Sequence, residues 1–276
     1  MLMKRNNRQS GFTVAELLIT MALGLSIVGS ILVGYLATYT SSMDTLAASK
    51  MNQDLNAVMN LMISEFRRAG YSGQPGTATN PTSNDFNDQT DTALRVIDTM
   101  GSDTVLVPAG DGTWTNGGLA TQGSCILFAY DRDNDGTLDL DELNGFRLNN
   151  VTGAVEMRTL GVLATATSCA TGTWVALTDP NFITVSVLAF NLDNSECINT
   201  REPDGIDNDA GGSPAIDNAE EADCYDAPMP AAASGDITVE TRQIRITLTG
   251  NLQNDAFVQI SLVQDVRVRN DLVRIR

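Results

Sequence analysis

GFTVAELLITMALGLSIVGS, residues 11–30, is a membrane-length apolar run with one acid, Glu16, near its start. No charged residue follows from Leu17 to Met43. About 20 helical residues cross a ~30 Å hydrocarbon core, so the run is long enough to span a bilayer. Lys4, Arg5 and Arg8 precede it. Basic flanks favour the cytoplasmic side, which puts the N-terminus inside and the remainder of the chain outside. A carboxylate at the edge of hydrocarbon is costly even on mild scales, so Glu16 demands a purpose. A cleaved secretory signal fits less well. The run exceeds an ordinary signal core, Glu16 interrupts it, and helical patterning continues beyond it.

That patterning is amphipathic. Met51, Leu55, Val58, Met62 and Phe66 recur at helical steps, and Leu46, Met59 and Ile63 widen the stripe, as in a helix docked on a globular body. The first proline is Pro75, so residues 12–70 are expected to form one helix of about 90 Å, stopped at Gly70. Residues 71–90 are polar and turn-rich and read as a connecting loop. Short β-type runs follow, from ALRVID at 93–98 to AFVQISLVQDVRVR at 256–269. Alternation is clearest at Ile183, Val185 and Val187 and again at Val258, Ile260 and Leu262. A phase slip between Val239 and Ile244 predicts a bulge or break. No helical crossover separates the strands. The expected fold is therefore α+β, with a long N-terminal α-helix packed on an antiparallel β-sheet head that occupies residues 71–276.

The chain of 276 residues carries 17 basic and 34 acidic side chains, no histidine and a net charge of -17. Such a body repels DNA, RNA and anionic lipid, so no nucleic-acid partner is expected. Arg242, Arg245, Arg267, Arg269, Arg274 and Arg276 read as local balance for acidic surroundings, with Arg267 and Arg269 on one strand face. Without histidine there is no Ser–His or Cys–His pair, and neither a phosphate-cradling glycine loop nor a G-x-S-x-G elbow occurs. The chain is expected not to be an enzyme. A carboxylate-pair hydrolase is the catalytic alternative.

Cys125, Cys169, Cys197 and Cys224 are widely spaced and lack a C-x-x-C pair, which favours two disulfides in an oxidising compartment. Three pairings are open. Neighbours in sequence, Cys125 with Cys169 and Cys197 with Cys224, are the expected ones.

The sharpest site signal in the body is DRDNDGTLDLDE at 131–142. Asp131, Asp133 and Asp135 alternate, Gly136 follows, Thr137 offers a carbonyl, and Asp139 and Glu142 fall at the ninth and twelfth positions. That spacing matches the calcium loop of EF-hands, where hard oxygens converge and a closing acid binds through both oxygens. The flanks look like strands, so this is the loop without its helix pair. A second cluster lies in EPDGIDNDAGGSPAIDNAEEADC. There Asp204, Asp207 and Asp209 resemble the opening of thrombospondin-type calcium repeats, with Asp217, Glu220, Glu221 and Asp223 as later ligand candidates. One or two calcium ions are expected, bound in the weak extracellular range of about 0.1–1 mM and serving to stiffen the loops.

RQSGFTVAELLIT at 8–20 resembles the leader junction of type IV prepilins and pseudopilins: a short basic leader, Gly11, an aromatic Phe12, and Glu16 five residues into the mature chain. The resemblance implies that residues 1–11 are a leader removed by prepilin peptidase on the cytoplasmic face. It further implies that the Phe12 amine is methylated and that the apolar segment is retained. It implies an inner-membrane single pass with a periplasmic head, and later a place in an extracellular pilus. In that family the glutamate pairs with the terminal amine of a neighbouring subunit, so other pilin subunits are the expected partners through the N-terminal helix. SEFRRAGYSG at 64–73 further resembles the helix end of PilW-type minor pilins. A minor subunit that primes or caps a filament, beside a tip adhesin, is the implied role. A minor pseudopilin of a type II secretion system is the alternative in the same class, and a membrane-anchored calcium-dependent adhesin the alternative outside it.

Overall fold

The structure, a computed structural model, describes residues 11, 13–73, 84–88, 91–101, 106–108, 114–116, 119–120, 123–205, 221–224 and 235–275. Among the described residues one α-helix occurs, α1 (Val14–Phe66), and it precedes the strands. The strands in chain order are β1 (Arg95–Ile97), β2 (Val107–Pro108), β3 (Trp114–Asn116), β4 (Leu119–Ala120), β5 (Cys125–Ala129), β6 (Leu143–Asn149) and β7 (Ala154–Leu160). They continue with β8 (Thr173–Ala176), β9 (Ile183–Asn191), β10 (Glu196–Asn199), β11 (Ile237–Thr241), β12 (Gln243–Leu252), β13 (Asp255–Arg267) and β14 (Leu272–Ile275). The fold is α+β, and every pairing recorded among these strands is antiparallel.

The head differs from a single sheet. Among the described residues its strands form four: β1-β5-β6-β7-β8, β13-β12-β9, β10-β11-β14 and β2-β3-β4. The break expected between Val239 and Ile244 falls at Arg242 and divides β11 from β12, which belong to different sheets. The Val187 expectation fails for a local reason. Val185 pairs with Gly250 and Val187 with Thr249, so Ser186 is an extra residue in β9. A bulge reverses the inward face of everything beyond it. Ile183 and Val185 stay buried, Val187 turns 40% exposed, and Leu188 and Phe190 take over the core.

The chain divides into two units at Lys50 and Met51. The first contains the apolar part of α1. Its hydrophobic residues from Leu17 to Leu46 are exposed, and this helix is long and apolar enough to cross a membrane by length and composition. Leu46 does not join the docking stripe. The second unit holds residues 51–66 of α1 together with the strands. Met51, Leu55, Met62 and Phe66 are fully buried there, in one core with Phe128 of β5, Phe146 of β6, and Ile183 and Phe190 of β9. Phe66 is the hub: its ring meets those of Phe128, Phe146 and Phe190 edge-on at 5.3, 5.5 and 5.8 Å. The last turn of the helix thus joins strands from two different sheets. Gly250 of β12 lets the backbone approach: a Cβ there would stand 3.1 Å from Ile183 and 3.2 Å from Leu55.

Both disulfides pair neighbours in sequence, Cys125 with Cys169 and Cys197 with Cys224, with Cα separations of 6.5 and 5.2 Å. The first pins the start of β5 to the loop before β8. The second closes the acidic segment that precedes β11.

Candidate functional site

Just past the end of α1 the chain turns through residues 67–70. Gly70 adopts φ 73°, the left-handed conformation that ends many helices. Its N–H then donates to Ala129 O at 2.7 Å, which ties the helix exit to the end of β5. One residue further, Tyr71 O accepts from Asp131 N at 2.9 Å. The acidic loop therefore starts against the segment that leaves the helix.

Within the loop, short-range hydrogen bonds do the folding. Asp133 Oδ1 accepts from Asp135 N at 3.2 Å, and Asp135 Oδ1 accepts from Thr137 N at 2.7 Å. These are Asx turns, the habit of an aspartate whose carboxylate caps its own backbone two residues on. Asn134 and Gly136 supply the left-handed positions, φ 64° and 75°. Asp131 is 1% exposed and accepts three backbone N–H groups: Asn134 at 2.6 Å, Gly136 at 3.1 Å and Gly73 at 2.8 Å. Glu142, also buried, accepts from Arg132 N at 2.6 Å and Asp139 N at 2.9 Å, folding the twelfth position back onto the second and ninth.

The result is convergence. Carboxylate oxygens of Asp131, Asp133 and Glu142 lie within 4.8 Å of one another, and so do those of Asp133, Asp135 and Asp139. Asp133 belongs to both sets. Among the described residues no other grouping of three such side chains occurs. Thr137 is exposed beside them. In the second acidic segment, Asp204 is exposed, Glu221 buried, and Asp223 bridges to Ile198. Asp207, Asp209, Asp217 and Glu220 lie outside the described residues.

Two buried supports hold the loop. Arg158, 1% exposed, donates to Leu143 O at 2.9 Å, Asn144 O at 3.2 Å and Ala166 O at 3.1 Å. It clamps the backbone directly after Glu142. Burial, then the Arg95 charge, pushes its guanidinium down to about 10, so it remains a cation at neutral pH. Ahead of Asp131, the Tyr130 hydroxyl donates to Glu65 Oε2 at 2.6 Å, and the Arg68 guanidinium lies 4.0 Å over the Tyr130 ring. Sequence reasoning missed both supports, because neither residue sits in a motif.

Burial first, and the Glu65 hydrogen bond second, raise the Tyr130 pKa above its ordinary value of 10.0. An acid whose folded pKa is raised contributes stability below its unfolded pKa and loses it as pH climbs through the folded value. Ultraviolet titration should therefore show Tyr130→Phe losing a step that lies above the ordinary tyrosine value in the wild-type chain. Curves that differ only below that value would contradict this.

At the other end, Gly11 is exposed and Phe12 lies outside the described residues, as do residues 1–10. Thr13 and Glu16 close on each other. Glu16 Oε2 accepts from Thr13 N at 2.9 Å and Thr13 Oγ1 at 3.0 Å, while Thr13 Oγ1 accepts from Glu16 N at 3.3 Å. This is a capping box, and its T-x-x-E signature was legible in the sequence. It gives Glu16 a local task at the helix start. That task occupies Oε2, and Oε1 takes no hydrogen bond among the described residues.

The arginines considered as a patch are mostly consumed. Arg242 and Arg274 bind Glu240 at 2.7 and 3.2 Å, Arg245 binds Asp265 at 2.9 Å, and Arg267 lies 3.9 Å from Asp271. Arg269 does not share a strand face with Arg267, since β13 ends at Arg267. Arg276 lies outside the described residues.

A helix that can cross a membrane, a disulfide-bonded antiparallel head and an acid loop at the helix exit are thus combined in one chain. The family model described as prepilin peptidase-dependent protein B matches residues 44–268. The chain belongs to that family. The prepilin peptidase-dependent protein B family is related to type IV pili, which makes this a pilin-like protein. The match begins at residue 44, so it rests on the lower helix and head and owes nothing to the residues around Gly11. No curated protein and no solved structure matches the chain.

Proposed function

We propose that this chain is a minor type IV pilin of the PilW type, a structural subunit that primes or caps pilus assembly rather than an enzyme. The observation that carries the reading is the family match over 44–268 on a chain that opens with a basic leader, Gly11, Phe12 and Glu16. The two signals occupy different residues and point the same way. Exposed apolar side chains from Leu17 to Leu36 need lipid or other apolar helices around them. The inner membrane supplies the first before assembly, and a bundle of like helices supplies the second in the filament. Prepilin peptidase cuts after Gly11, and the new Phe12 amine is methylated. Mass spectrometry of the protein extracted from membranes tests this. A mature N-terminus at methylated Phe12 is expected, and a start near Thr38 would overturn the reading. Deletion separates pilus from secretion: surface pili should fall while type II secretion is unchanged.

The 131–142 loop is, in this reading, a calcium site. Two sets of three carboxylates that share Asp133 repel one another until a divalent cation joins them, and all-oxygen donors suit a hard ion. Asp131, Asp133, Asp135, Asp139 and Glu142 would hold it, with the Thr137 carbonyl completing the set. The ion stiffens the junction between helix exit and head. Calcium at about 100-fold its dissociation constant adds roughly 2.7 kcal/mol, which raises the melting temperature by about 5–10 °C for a head of this size. Asp133→Asn, which touches both carboxylate sets, should remove most of that rise. A melting temperature indifferent to calcium would reject the site.

A further inference from the structure

Cations are scarce on this chain, and most are spent on its own acids and carbonyls. Arg147 binds Glu156, Arg158 holds backbone carbonyls, Arg242 and Arg274 share Glu240, and Arg245 binds Asp265. Among the described residues, Arg67 and Arg269 have no side-chain hydrogen bond or ion pair. They stand about two hundred residues apart in sequence, yet both line one open cavity of about 330 Å³. Arg68, Arg132, Tyr71 and Asn270 line it too. Arg68 and Arg132 have long ion pairs, 3.8 Å to Glu65 and 3.8 Å to Asp141, with side chains 46% and 41% exposed; Arg68 also covers the Tyr130 ring, and Arg132 donates to Asn144 Oδ1 at 3.2 Å. Pairs of that kind contribute little and are readily exchanged. Among the described residues, Asp131 is the one acid in the lining, and its oxygens already serve the three backbone N–H groups described above.

Four guanidinium groups gathered at one cavity repel one another, and an anion relieves them. We propose that this cavity docks a short acidic peptide segment of a neighbouring subunit, taking two carboxylates on its arginines. Planar guanidinium forks match carboxylates through paired hydrogen bonds, and arginine is over-represented among residues that dominate protein interfaces. The overall charge of -17 argues for a short segment over an extended polyanion. Charges are screened beyond about 8 Å at physiological salt, so a few carboxylates engage the arginines alone. A long polyanion must also lie along the acidic head. The cavity is too open to desolvate a small free anion. Arg67 and Arg68 directly follow α1 and Arg132 belongs to the acidic loop, so an occupied cavity ties the neighbour to the helix exit. The inference rests on the filament reading for the source of the segment, but not for its chemistry.

Fluorescence anisotropy on the full chain in uncharged detergent tests it, with a labelled eight-residue peptide of alternating Asp and Ser and its Asn-for-Asp counterpart as probes. The acidic peptide should bind, weaken with added salt, and outcompete the neutral one. Arg67→Ser with Arg269→Ser should weaken it about tenfold, as expected for two solvent-facing charge pairs. The melting temperature should hold, because both side chains are exposed and unpaired; Arg269→Ser alone should give a smaller loss of the same sign. Unchanged affinity in the double variant, or no binding to the wild-type chain, overturns the proposal. Tighter binding of a single-stranded oligonucleotide than of the peptide overturns it as well. A chain that binds the acidic peptide but lacks a processed Phe12 terminus keeps the specificity of the cavity and loses only the filament neighbour.

Discussion

Phe66→Ala will destabilise the head by about 3–5 kcal/mol, a large share of the ~5–15 kcal/mol that holds a typical domain folded. Phe66 is fully buried and meets three rings, Phe128, Phe146 and Phe190, that belong to two different sheets. Truncation removes the apolar area and leaves a cavity that strands on both sides must collapse to fill. They cannot close as one sheet, because β5–β6 and β9 belong to different sheets that the bridge between Gly123 and Phe190 ties together. Urea unfolding of the full chain measures the loss. Leu46→Ala, on the exposed part of the same helix, is the control and should stay within about 0.5 kcal/mol. A Phe66→Ala loss no larger than that of the control would remove Phe66 from its place as hub.

The second large effect concerns Glu16 and follows from the filament reading. Glu16→Gln should cut incorporation into filaments by about a hundredfold or more, since it leaves a neighbour's amine buried without its charge partner, a penalty of roughly 3–5 kcal/mol. Glutamine is chosen because it still accepts from Thr13 and so preserves the capping box. Thr13→Ala is the converse. It breaks the cap, worth about 1 kcal/mol, and spares the carboxylate. Quantitative blotting of sheared filaments against the membrane pool reads both. If Thr13→Ala assembles as poorly as Glu16→Gln, capping and not charge is the duty of Glu16.

Much of the chain was legible because the signals are local. The apolar run, the helical stripe from Met51 to Phe66 and the stop at Gly70 are periodicities and breakers that neighbouring residues impose on one another. Spacing did much to bring the acids of 131–142 together, because Asx turns and a left-handed glycine act within a few residues. Other features needed partners far away. Ser186 is unremarkable until its pairing with β12 makes it a bulge, and only then does Val187 turn outward. One sheet became four because strand phase says which face is buried but not which strand lies alongside. Tyr130 and Arg158 brace the loop from either end through contacts with Glu65 and with backbone carbonyls, and no motif announces such contacts.

Taken alone, the order of residues determined the membrane-length helix, the class of the head and the spacing of the acid loop, since each depends on interactions between residues near in sequence or on composition. Tertiary structure decided the rest: that Phe66 couples two sheets, that the acid loop begins at the helix exit, and that Arg67 and Arg269 share a cavity. Those outcomes depend on which surfaces the chain buries against each other, and burial is a property of the packed whole.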